Sequence, residues 1–137
     1  MQVTQVGAAF AVEDPAAAGS WFAQHLGFGV LVDLGWFVST QHPDQPDLRI
    51  DFVSADHETW VERTPGVRGS MIALVIGDVD EQHGRLVAAG VPILKPLVTE
   101  PWGQRRFQVL APGGLVVELV QPVEPDSAWM ESQGLGT

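Results

Sequence analysis

The chain has 137 residues, 45% hydrophobic and 18% charged, enough for one soluble domain whose core needs no covalent staple. It holds no cysteine, which excludes disulfides and thiolate chemistry, and a net charge of −10, with Lys95 the single lysine, argues against nucleic acid as a partner. No basic-then-apolar leader opens the chain and no apolar run approaches the roughly 18 residues of a membrane span, so no membrane partner and a cytoplasmic location are expected.

In chain order, GAAFAVEDPAAAGSWFAQHLGF (7–28) reads as a strand, a short acidic turn ending at Asp14, a helix, then Gly27 and an apolar residue. Ala18, Trp21, Phe22, His25 and Leu26 fall at i, i+3, i+4, i+7 and i+8, one apolar face of that helix. Three strand-like runs follow: 29–34, 36–41 and 48–54. After a linker over 57–69, MIALVIGDVDEQHGRLVAAGV (71–91) repeats the plan, with Asp78 at the helix start and Gly90 at its end. Its helix face, Val79, His83, Leu86, Val87 and Gly90, is weaker. Runs at 92–99, 104–110 and 115–121 complete it, and 123–137 is a tail that could hold one helical turn. The expected fold is α+β: one domain over 1–137 built from two βαβββ modules, 3–56 and 70–122.

Alternation assigns the faces of the strands. In the first strand Val6, Ala8, Phe10 and Val12 should face the helix, leaving Gln5, Gly7, Ala9 and Ala11 for the opposite side. In the fifth, Ile72, Leu74 and Ile76 should pack inward, and Met71, Ala73 and Val75 outward. Glu118 stands alone among the apolar residues of LAPGGLVVELVQP. If Pro112-Gly113-Gly114 is a three-residue hairpin loop, Gln108 lies opposite Glu118, Arg106 lies diagonal to it, and all three face away from the helix. Aligning Gly35 with Gly103 places Trp36 and Val38 on that same side.

The repeated βαβββ plan, the V-x-D helix entry (12–14), FAQHLGF (22–28), DVDEQHGRLVAAG (78–90) and APGGLVVELVQP (111–122) together resemble the vicinal oxygen chelate superfamily over residues 3–122. It contains glyoxalases, extradiol dioxygenases, fosfomycin-modifying enzymes and bleomycin-resistance proteins. The resemblance implies sheets curled into cups. WFVST (36–40) and GQRRF (103–107) further resemble its metal-free, bleomycin-resistance-like branch. Its enzymes hold a divalent metal with His or Gln on the first strand of a module and Glu on the last. The first-strand positions here are Gly7 and Met71, neither a ligand for a hard or borderline cation; on last strands Glu118 keeps its place and Asp51 could stand at the other. His25 and His83 lie on helix faces, and His42 and His57 in loops, so no metal site is expected.

The resemblance implies no cofactor and a homodimer, swapped or paired at an interface. Its ligand would be a small-molecule antibiotic with a planar aromatic group: a bleomycin-like glycopeptide, a mitomycin-like quinone or a chromophore-bearing peptide. Candidate ligand-binding residues are Gly7, Ala9, Trp36, Val38, Asp51, Met71, Trp102, Arg106, Gln108 and Glu118. Trp36 and Trp102 would be stacking platforms, while Trp60 and Trp129 would pack at a subunit interface or cover a core edge. No catalytic residue is nominated. Two alternatives stand beside this expectation: a lyase, isomerase or dioxygenase of the same superfamily, with or without metal, using Glu118 or Asp51 as a base, and a binding module for an ordinary metabolite or a partner protein.

Overall fold

Asp14 begins the first helix because its carboxylate accepts a hydrogen bond from Ala17 N at 3.0 Å, and Pro15 has no N–H to leave unsatisfied at the first position. In the computed structural model, which describes residues 1–60 and 69–135, that helix is α1 (Pro15–Leu26), and Gly27 ends it at φ 74°, in the left-handed region. It follows strand β1 (Val6–Val12) and precedes β2 (Gly29–Asp33), β3 (Phe37–Gln41) and β4 (Leu48–Ser54). The second half repeats the order with β5 (Met71–Val75), α2 (Val79–Ala88), β6 (Ile93–Glu100), β7 (Gln104–Ala111) and β8 (Leu115–Pro122). A short helix α3 (Ser127–Ser132), capped by Asp126, closes the described chain. The expected βαβββ repeat is therefore the observed one, with strand ends within a residue or two of those read from the sequence. The linker expected over 57–69 lies largely outside the described residues.

Each half forms one four-stranded mixed sheet, in the order β1-β4-β3-β2 and β5-β8-β7-β6. The first and last strands of each module run parallel and adjacent, so Ala9 lies beside Asp51 and Ala73 beside Glu118. The chain divides into two compact units, Met1–Arg68 with Ala111–Gly113 and Gly69–Leu110 with Gly114–Thr137.

In the first unit Ala18, Phe22 and Leu26 of α1 are buried against the sheet. Phe22 meets Phe52 of β4 at 5.0 Å and Phe28 edge-on at 5.2 Å. Trp21 and His25, on the same predicted face, are half-buried at its margin, 5.1 Å apart. Gly19 permits the closest approach, because a Cβ there would stand 2.6 Å from Val38 Cγ1. In the second unit Val79 and Leu86 of α2 pack with Phe107, Val109, Val117 and Leu119 in the core. Val87 is half exposed and Gly90 lies past the helix end, so the α2 face is narrower than its periodicity suggests. Asp78 precedes this helix but does not bond its first turn. Gln121 Oε1 accepts from Val79 N at 3.1 Å instead, while Asp78 Oδ2 accepts from Gln82 at 2.9 Å. The alternation predicted for β1 and β5 holds from Ala8 onward, where Ala8, Phe10, Val12, Ile72 and Leu74 are more buried than their neighbours. Val6, also expected to face the helix, is 58% exposed at the start of β1.

Candidate functional site

The faces of the two sheets turned away from the helices carry seven of the ten predicted site residues; Trp36 and Trp102 lie outside the strands and Val38 faces the helix. The tight turn over Pro112–Gly114, with Gly113 at φ 82° and Gly114 at φ 77°, joins β7 to β8, which lie side by side in the second sheet. Glu118 is only 4% exposed. Its Oε1 accepts from Arg106 Nη1 at 2.7 Å and from Gln108 Nε2 at 3.2 Å. A buried carboxylate needs such partners, and a charged donor makes the stronger bond. Among the described residues no hydrogen bond reaches Oε2.

Arg106 is the centre of a wider network. Its Nε and Nη2 both donate to Glu100 Oε1 at 3.3 Å, and Lys95 Nζ lies 3.7 Å from the same oxygen. Its guanidinium carbon sits 5.3 Å from the Trp102 ring centroid, within cation–π range. Burial works against the Arg106 charge, but the bonds to Glu118 and Glu100 outweigh it and hold its pKa above the usual arginine value. Lys95, Arg106, Glu100 and Glu118 balance to zero formal charge, which makes the cluster tolerable away from water. Lys95 and Glu100 were not foreseen, because β6 breaks its pairing register between Ile93 and Lys95 and again between Lys95 and Val98. Simple alternation fails across such bulges.

Trp102 lies in the turn before β7, 40% exposed, with its Nε1 donating to Gln104 at 2.8 Å and its ring 5.9 Å from that of Trp129 in α3. Gly103 is required there: φ is 101° and a Cβ would meet Val123 O at 2.9 Å. Trp129 thus backs Trp102. Met71 is 45% exposed, and its sulfur receives Gln108 Nε2 at 3.8 Å.

In the first unit Gly7 and Ala9 lie exposed on the outward face of β1, and Asp51 lies on the same face of β4. Asp51 Oδ1 and the neighbouring Arg49 Nε are buried without any hydrogen-bond partner. Arg49 is a further residue that parity counted from Asp51 could have found. One expectation needs correction. Val38 does not face outward: it is 1% exposed, paired with Phe52, and its Cγ1 occupies the space over Gly19 of α1. Phe37 and Ser39 hold the outward positions instead, with Ser39 opposite Asp51. Trp36 lies just outside β3, 41% exposed, and one ring face is already covered by His57, stacked at 3.8 Å and 8°. Trp60 is tied to the end of β4 by Nε1 donating to Ser54 O at 3.0 Å.

The donor set does not suit the superfamily's metal. Gly7 offers no ligand and Met71 only a soft thioether, while Oε1 of Glu118 already holds a guanidinium. Among the described residues no three His, Cys, Asp or Glu side chains gather into a metal-binding group. His42 packs edge-on against Phe28, and His83 against Phe107. A hollow of about 450 Å³ opens elsewhere in the first unit, between the start of α1 and the Pro112-Gly113 turn. Ala11, Ala17 and Ala55 form much of its wall, and Glu13 and Asp14 are its charged residues, so it lacks the aromatic and cationic groups gathered on the outward faces. No described helix is long and apolar enough to cross a membrane.

No curated protein matches the chain. Solved structures do. TioX from Micromonospora sp. ML1 is 22% identical at a TM-score of 0.72, covering 87% of this chain and 98% of that one. A glyoxalase/bleomycin resistance protein/dioxygenase superfamily member from Sphaerobacter thermophilus is 29% identical at 0.68, covering 85% and 95%. A lactoylglutathione lyase from Agrobacterium tumefaciens is 21% identical at 0.66, covering 85% and 91%. The family profile described as the Glyoxalase/Bleomycin resistance protein/Dioxygenase superfamily matches residues 4–119. With that match across nearly the whole chain and two βαβββ modules in its structure, the protein belongs to this superfamily.

Proposed function

We propose that this protein is a non-catalytic binder of the metal-free, bleomycin-resistance-like branch, sequestering a small-molecule antibiotic with a planar aromatic group and so conferring self-resistance. In this reading it works in the cytoplasm as a homodimer. The observation that carries it is the state of Glu118: the carboxylate at the superfamily's metal-ligand position is 4% exposed and held through Oε1 by Arg106 and Gln108. In its own unit the half-exposed Trp102 ring, the thioether of Met71 and a few fixed polar groups suit an organic guest, and in the first unit Trp36 keeps 41% of its surface exposed. Stacking on such rings adds roughly 1 kcal/mol beyond the area buried.

The test is tryptophan emission titrated with bleomycin, mitomycin and aromatic peptide antibiotics. Saturable quenching below about 100 μM, roughly −5.5 kcal/mol, is the expected result. No quenching by any planar compound in that range overturns the proposal. An enzyme reading draws on Glu118 Oε2, which has no hydrogen bond from the described residues and could act as a base. Turnover of a superfamily substrate that Glu118→Gln abolishes would establish it in place of sequestration.

A further inference from the structure

Each unit carries an exposed tryptophan in the turn before its third strand, Trp36 ahead of β3 and Trp102 ahead of β7, 41% and 40% exposed. An indole standing free in such a turn would sample several rotamers. Neither stands free. In both units the chain leaving the last strand meets this turn and lays an aromatic ring against the tryptophan. Ser54 N, at the end of β4, donates to Trp36 O at 2.8 Å, and Val123 N, just past β8, donates to Gly103 O at 2.9 Å. The repeat thus makes the same crossing contact twice, and each time a residue downstream of the last strand supplies the ring.

In the first unit that ring is His57. Its backbone N–H donates to Ser54 O at 3.0 Å, closing the turn after β4. Its Nδ1 accepts from Thr59 N at 3.2 Å and lies 2.8 Å from Thr59 Oγ1. So anchored, the imidazole sits 3.8 Å from the Trp36 ring and within 8° of parallel. That is van der Waals contact over one face, so the surface that Trp36 keeps exposed belongs to its opposite face and its rim. In the second unit the ring is Trp129. Asp126 N donates to Pro101 O at 2.8 Å, and the Asp126 carboxylate accepts from Trp129 N at 2.7 Å, which fixes the start of α3 beside the turn. The Trp129 ring then lies 5.9 Å from that of Trp102, tilted by 54°, within the spacing that aromatic pairs favour. The Gln104 bond to Trp102 Nε1 holds the indole from its edge.

We infer that His57 and Trp129 are positioning residues, each holding the tryptophan of its own unit in one orientation, so that a planar guest meets a ring already ordered. Neither needs to touch the guest. Their role in binding rests on the sequestration reading, whereas the holding of the rings does not. A ring fixed beforehand loses no side-chain freedom when the guest arrives, which favours binding by about threefold to tenfold for each side chain so held.

Two measurements on the full chain test this. In nitrogen-15 NMR spectra the indole Nε1–H relaxation of Trp36 and Trp102 reports ring mobility without any ligand. His57→Ala should loosen Trp36 and leave Trp102 rigid, and Trp129→Ala should do the reverse. His57→Phe and Trp129→Phe, which restore a ring, should keep both indoles rigid. Indoles that stay rigid in the alanine variants, or loosen as much in the phenylalanine variants, overturn the holding role. The second measurement is affinity for bleomycin and mitomycin by tryptophan quenching. At least one alanine variant should bind about threefold to tenfold more weakly, with its phenylalanine counterpart restoring the affinity. Alanine variants that all keep the wild-type affinity overturn the role in binding. If nothing in the antibiotic panel quenches the wild type while the indoles loosen as expected, sequestration falls and the holding of the rings stands. If the panel quenches and the indoles of the alanine variants stay rigid, the holding falls and sequestration stands.

Discussion

The two sheets place equivalent residues on equivalent ladders and treat them differently. Glu118 in β8 and Asp51 in β4 each lie beside an alanine of the parallel first strand and face away from the helix. Around Glu118 the neighbouring strand supplies Arg106 and Gln108, which bond it at 2.7 and 3.2 Å. Around Asp51 the corresponding outward positions of β3 are Phe37 and Ser39, and Oδ1 is left without a partner. Met71 fills the first-strand position in one unit, where its sulfur meets Gln108; Gly7 leaves it empty in the other. One repeat thus holds a self-satisfied ion-pair network and the other an unsatisfied pair. A duplicated backbone fixes where side chains stand, while the residues on the adjacent strand decide whether a carboxylate is structural or still seeking a partner.

The largest expected effects fall on the cores, where the units are alike. Phe52→Ala and Phe107→Ala, both at 0% exposure, should each lose roughly 4 kcal/mol in urea unfolding, and a loss confined to one of them would show that the cores are unequal. The sharper contrast is between arginines. Arg106→Met strands a buried carboxylate and should cost on the order of 3 kcal/mol. Arg49→Met removes an orphan buried donor and should be neutral or stabilise by up to about 1 kcal/mol. Equal losses in the two variants would mean that Asp51 and Arg49 are paired in solution after all.

The smallest effect concerns Asp80, an exposed residue of α2 bound by Arg105 at 2.8 and 2.9 Å. Those bonds hold its carboxyl below the ordinary aspartate value of 3.8. A depressed folded-state pKa stabilises above the unfolded value and ceases to do so as pH falls through the folded one. The thermal midpoint of Asp80→Asn should therefore lie slightly below that of the wild type at neutral pH, and the gap should shrink once pH drops below 3.8. A gap unchanged down to the acid limit would rule out the Arg105 pair as its source.

The fold was legible because periodicity, Asp and Gly punctuation and internal repetition all agreed. The neighbours of Glu118 were legible too, since a three-residue turn fixes which residues of β7 and β8 face each other. Val38 was misplaced by trusting that the two halves keep equal spacing after Gly35 and Gly103. The core residue of β3 comes three positions after Gly35, at Val38, whereas that of β7 comes four after Gly103, at Phe107. A one-residue offset turns every side chain of a strand to its other face. The stack of His57 on Trp36 pairs residues with no periodic relation, and the unsatisfied state of Arg49 and Asp51 is a property of packing, which sequence spacing does not encode.

Strand β2 ends the first sheet, and Val30, Leu31 and Val32 along it are 44%, 45% and 39% exposed. Its pairing with β3 shifts register between Val30 and Val32. A regular border strand offers evenly spaced amides and carbonyls onto which another chain can zip, the usual route to uncontrolled polymerisation. The irregularity interrupts that spacing, so this border resists extension by a further strand although its valines and leucine stay partly exposed.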